Sequence, residues 1–83
     1  MEKDKPQFQT TDLNTAAFLK SKNIPLTDVQ RHGLRIHFCF NHPAAESLAL
    51  QYLNGAEVSA TTFAWALQEL KTLVHARMER GRS

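Results

Sequence analysis

The run Leu34-Arg35-Ile36-His37-Phe38-Cys39-Phe40 alternates apolar and other side chains without a fault. A pleated strand sends successive side chains to opposite faces, so this run reads as a half-buried strand with Leu34, Ile36, Phe38 and Phe40 turned to a core. His32-Gly33 precedes it, and glycine takes positive φ without penalty, so the run is expected to close a β-hairpin with a strand inside residues 26–31. A two-residue turn at His32-Gly33 sets Val29 opposite Ile36 and Asp28 opposite His37. Leu26 and Val29 stand three apart, and a regular strand cannot bury both. A bulge between them is therefore expected; without it Leu26 points outward beside Cys39.

Such a strand needs a covering layer, and the remaining sequence supplies helices. Phe8-Gln9-Thr10-Thr11 is a short β-prone stretch, after which Asp12 or Thr11 offers a side-chain oxygen to a helix over residues 13–22. Its stripe is Leu13, Ala16, Ala17 and the stem of Lys20, widened by Phe18 and Leu19. Asn41-His42-Pro43 stops the strand and opens a second helix, with Asn41 or His42 at its cap and Pro43 in its first turn. Ala45, Leu48, Ala49, Tyr52 and Leu53 form the second stripe, closed by Asn54-Gly55. A third helix is expected over residues 60–79, with Phe63, Leu67, Leu70 and Val74 inward, Ala66 and Met78 at the margin, and Gly81 ending the pattern. The expected fold is α+β: two layers in the order β-α-β-β-α-α, a small mostly antiparallel three-stranded sheet with helices on one face. Residues 7–79 form the domain, 1–6 a disordered tail and 80–83 a basic tail.

Composition narrows the function classes. With 83 residues, 42% of them hydrophobic, there is room for one core and little surplus stability, so self-association is a natural supplement. The lone cysteine, Cys39, leaves no internal disulfide framework, and no apolar run is long enough to span a bilayer. The charged start, Met1-Glu2-Lys3-Asp4-Lys5-Pro6, has no apolar segment behind it, unlike a secretory signal, which points to a reducing cytoplasm. A formal net charge of +2 permits phosphate contact without requiring it.

Five segments together carry a resemblance. They are Phe-Gln-Thr-Thr-Asp-Leu-Asn-Thr-Ala-Ala-Phe-Leu-Lys-Ser-Lys over residues 8–22, then Leu26, Arg35-Ile-His-Phe38, Tyr52-Leu-Asn-Gly55 and Phe63-Ala-Trp-Ala-Leu-Gln-Glu-Leu-Lys71. The chain resembles a family of small bacterial and phage proteins classed as a domain of unknown function. Asn23 stands where that pattern usually has glycine, and Gln68 where arginine is common. The resemblance implies a shared fold and brings no catalytic residue, cofactor or ligand.

Candidate chemistry is sparse. His37 and Cys39 share a strand face and His42 follows, but a zinc site needs three or four ligands, and no paired motif completes the set. Cys39 as a nucleophile would need His37 as its base, and side chains two apart on a strand are about 6–7 Å apart. Asp28 beside His37 would favour the imidazolium. The carboxylates Asp12, Glu46, Glu57 and Glu69 are scattered over different elements, and no glycine-rich turn joins a strand to a helix. No catalytic residue, metal or cofactor is expected.

Trp65 falls about 200° around the last helix from Phe63, so it either packs under the preceding helix or loop or anchors a partner interface. The expectation is a non-enzymatic interaction or accessory module with a protein partner, self-association included, through a surface of Arg35, His37, Cys39 and Trp65. The alternative is nucleic-acid binding through Arg31, Arg35, Arg77, Arg80 and Arg82, with His32 and His37 on the same hairpin. A thiol or metal enzyme is the third. No membrane partner is expected.

Overall fold

Glycine 33 sets the geometry of the hairpin. In the computed structural model, which describes residues 8–82 and side chains through Met78, Gly33 has φ +66° and the strands β2 (Leu26–His32) and β3 (Arg35–Phe40) pair antiparallel around a Gly33-Leu34 turn. Glycine therefore occupies the first central position, as a type II′ hairpin requires. A His32-Gly33 turn of type I′ would force positive φ on His32 as well. The register moves by two: Val29 faces Phe38, Gln30 faces His37 and Arg31 faces Ile36, in place of the expected Val29 opposite Ile36 and Asp28 opposite His37. Because the shift is even, each side chain keeps its face. Leu34 does not, since it leaves the strand for the turn and is 84% exposed.

The bulge lies where it was expected, between Leu26 and Asp28. It brings Leu26 opposite Phe40, so Leu26 packs against the core beside Val29. The extra residue, Thr27, turns its hydroxyl to donate to the Cys39 carbonyl at 3.0 Å. β1 (Phe8–Thr10) pairs antiparallel with the other side of β3, Phe8 to Phe40 and Thr10 to Phe38, giving the order β1-β3-β2. All pairing in the sheet is antiparallel, and β1 and β2 run parallel on either side of β3.

Three helices complete the β-α-β-β-α-α order: α1 (Leu13–Ser21), α2 (Ala45–Leu53) and α3 (Ala60–Arg82). Asp12 caps α1: its carboxylate accepts from the Thr15 N–H at 2.8 Å and from the Thr15 hydroxyl at 2.6 Å. At the other end Asn23 takes φ +67°, with its N–H on the Lys20 carbonyl and the Ile24 N–H on the Leu19 carbonyl. This is a Schellman cap, with the following residue, Ile24, folded into the core. α2 ends the same way on Gly55, φ +88°. Its start differs from expectation. Ala44 is the cap residue and offers no side chain, Pro43 lies in a turn ahead of the helix, and the His42 ring accepts the Ala44 N–H through Nδ1.

α1 lies at the centre of the helical layer, packed on both α3 and α2. Residues Thr15, Ala16, Ala17, Phe18 and Leu19 are all buried, so the helix is covered on more sides than a single stripe provides. The core joins Val29, Phe38 and Phe40 of the sheet to Ala16, Phe18, Leu19, Ala45, Ala66 and Leu70. Phe18 stacks on Tyr52 at 4.9 Å between ring centres. On α3 the deepest residues are Ala66 and Leu70, with Phe63, Leu67 and Val74 at the flanks. That helix continues through Gly81 to Arg82, so the backbone of 80–82 is helical rather than a tail. The expected tail over residues 1–6 lies outside the described residues. No described helix is long and apolar enough to cross a membrane.

Candidate functional site

The face of the sheet away from the helices is polar and laced together. On β2, Gln30 donates through Nε2 to Asp28 Oδ2 at 3.1 Å, leaving Gln30 Oε1 as acceptor for His32 Nε2 at 3.3 Å. The His32 ring in turn meets His37 edge-on, 4.8 Å between centres. Asp28 is held below its ordinary carboxylate range by the Gln30 amide, by its bond to the Val29 N–H and by the charge of Arg77. Arg35 is exposed on this face and His37 half-buried. His37 stands opposite Gln30, so the expected Asp28–His37 pairing is replaced by a His32–His37 contact.

Cys39 does not join that surface. It sits in the middle strand between Gln9 and Asp28 and is 1% exposed. Burial, and secondarily the Asp28 charge, push its thiol pKa up, which disfavours the thiolate that both metal binding and nucleophilic attack require. Among the described residues no three His, Cys, Asp or Glu side chains come together as a metal-holding group. Leu26, carried inward by the bulge, is likewise absent from the outer face, so neither it nor Cys39 adds an apolar group there.

The arginines divide. Arg31 shares the helix-side face with Ile36, while Arg35 points to the opposite face beside His32. The Arg31 Nε donates to the Gly33 carbonyl at 2.8 Å, folding the side chain along its own turn. Arg77 is half-buried and its Nη1 donates to the Val29 carbonyl at 2.6 Å, tying α3 to the outer edge of β2. The side chains of Arg80 and Arg82 lie outside the described residues.

Trp65 is 71% exposed, on the rim of a shallow depression of about 220 Å³ formed with Lys20, Ser21, Asn23 and Thr62. The Lys20–Glu69 ion pair, 3.1 Å, crosses the same depression. Trp65 therefore does not pack under the preceding helix or loop. It is remote in the fold from the polar sheet face, so Arg35, His37, Cys39 and Trp65 do not make one surface.

Sequence reasoning missed a larger feature. Where the hairpin extends past the start of α1, a cleft of about 380 Å³ opens between β3 and α3, lined by Leu13, Leu34, Ile36, Phe38 and Val74, with Thr11 and Arg35. Five of its seven described lining residues are large and apolar, and the one charge among them is basic. The available signal was Leu34 itself: once glycine claims the first turn position, the next residue must leave the core face. Compared with known proteins, the chain matches no family model, no curated protein and no solved structure.

Proposed function

We propose that this chain is a small, non-enzymatic interaction module whose working surface is the cleft between the hairpin tip and α3. The observation that carries this reading is the concentration of unburied apolar side chains there: Leu34 at 84% exposure, and Ile36, Leu13 and Val74 only partly covered. An 83-residue domain has little apolar surface to spare, and leaving such a group at the solvent boundary offers a desolvatable contact to a partner. Exposed Trp65 is a second contact point. The family resemblance is compatible with this reading because it brings no chemistry of its own.

The test is affinity capture from a lysate with wild-type protein and with Leu34→Asp, each with and without nuclease. Polypeptides held by the wild type, insensitive to nuclease and lost from the variant support the proposal. Identical capture by both proteins refutes the cleft as the working surface. Capture abolished by nuclease instead favours nucleic-acid binding.

A further inference from the structure

The cleft has a main-chain wall as well as an apolar one. Because Arg77 donates to the Val29 carbonyl, that carbonyl points away from β3, and the Val29–Phe38 pair is of the non-hydrogen-bonded type. Bonding alternates along the ladder, so Phe38 turns its N–H and C=O toward β1, where Thr10 meets them. Ile36, two residues back, aims its N–H and C=O the same way. The His32–Arg35 pair beside the two-residue turn agrees with this phase, since such turns close on a bonded pair. β1, however, ends at Thr10, and the chain leaves into the α1 cap, with the Asp12 N–H already given to the Thr10 hydroxyl. Among the described residues no turn, loop or side-chain hydrogen bond reaches Ile36. One donor and one acceptor on β3 therefore have no partner among the described residues, in the line that β1 vacates and beside the apolar cleft.

We infer that this notch receives an extended peptide strand from a protein partner, carrying an aliphatic side chain flanked by carboxylates. An open strand edge is matched by another extended main chain, whose N–H and C=O satisfy those of Ile36 while alternate side chains enter the adjoining pocket. The apolar lining of Leu13, Ile36, Phe38 and Val74 selects the aliphatic group. Arg35 is the only charge among the described lining residues, and Arg31 stands opposite Ile36, so the strand's flanking charge is negative. At about 3.3 Å per residue the uncovered stretch from Leu34 to His37 accommodates roughly three or four residues.

This inference rests on the module reading above and adds the partner's chemistry. The probe is a capped hexapeptide alternating glutamate and valine, compared with a lysine-valine counterpart and with one N-methylated at alternate amides, titrated against the full chain by amide NMR. In the free protein the Ile36 amide should exchange with solvent at least tenfold faster than that of His37, which is bonded to β2. The glutamate peptide should slow Ile36 at least tenfold and shift Leu13 and Val74 resonances. The lysine peptide and Arg35→Glu should each weaken binding at least tenfold, and the N-methylated peptide should not bind. An Ile36 amide already protected in dilute protein overturns the open notch. Equal binding of lysine and glutamate peptides overturns the acidic partner. Protection that appears with protein concentration alone replaces the partner by a second copy. Silence of every peptide while Leu34→Asp still loses capture discards strand addition and leaves the module reading standing.

Discussion

Replacing Asn23 tests the local geometry on which the first helix and the core both depend. Its φ of +67° lies in the left-handed region, which costs an ordinary L-residue about 1–2 kcal/mol; asparagine is among the few that tolerate it. Alanine at this position suffers that strain in full. Glycine escapes it but forfeits about 0.4–1 kcal/mol through the greater freedom of the unfolded chain. The balance places Asn23→Gly above Asn23→Ala in stability by about 1 kcal/mol, or about 4–8 °C in melting temperature for a domain of this size. Asn14, exposed inside α1, provides the control. There the order must reverse, because glycine is about 1 kcal/mol worse than alanine within a helix. Urea unfolding and thermal melts followed by circular dichroism measure all four variants. If Asn23→Ala equals or exceeds Asn23→Gly, the left-handed cap and the inward fold of Ile24 that it directs are both refuted.

Other outcomes follow from the packing and the charges. Phe18→Ala empties a fully buried site stacked on Tyr52 and should cost about 3–5 kcal/mol, enough to leave so small a domain partly unfolded in a melt. Arg77→Met keeps most of the stem but removes the donor to the Val29 carbonyl; a loss of about 1–3 kcal/mol in denaturant titration is expected. Leu34→Asp should change stability by less than about 0.5 kcal/mol, since the side chain is already in solvent. Cys39 should react with a thiol reagent far more slowly in native than in urea-unfolded protein at neutral pH. Its pKa is raised on folding, so its contribution to stability is full below the unfolded value and is lost as pH rises through the folded one. Alkaline melts of wild type against Cys39→Ala would expose that difference, and parallel curves would contradict it.

Periodicity carried most of the architecture. The alternation through Phe38 and Phe40, the paired apolar stripes and the three-residue offset of Leu26 and Val29 led to the element order and the bulge. Those signals are local, and each states which face a residue belongs to. The turn position was harder, because both His32-Gly33 and Gly33-Leu34 satisfy the alternation and only the sign of φ at His32 separates them. Cys39 was misjudged for another reason. Its face is bare of helices, yet a small side chain in a middle strand is hidden by the longer ones of Gln9 and Asp28 beside it. Arg31 and Arg35 were grouped because both lie on the hairpin, whereas strand parity sends them to opposite faces. The cleft escaped entirely, since it arises from where β1 stops relative to β3, a comparison between segments more than twenty residues apart.

The tie from Arg77 to Val29 bears on how this protein can assemble. A sheet open on both flanks can grow without limit, each added chain offering a fresh flank to the next. Here an arginine plugs a carbonyl on the outer flank of β2, and the bulge at Thr27 bends that strand away from straight pairing. If a strand adds beside Ile36 as proposed, growth would therefore terminate after one addition, giving single complexes in place of fibres. Removing the plug should convert a self-limiting edge into a propagating one.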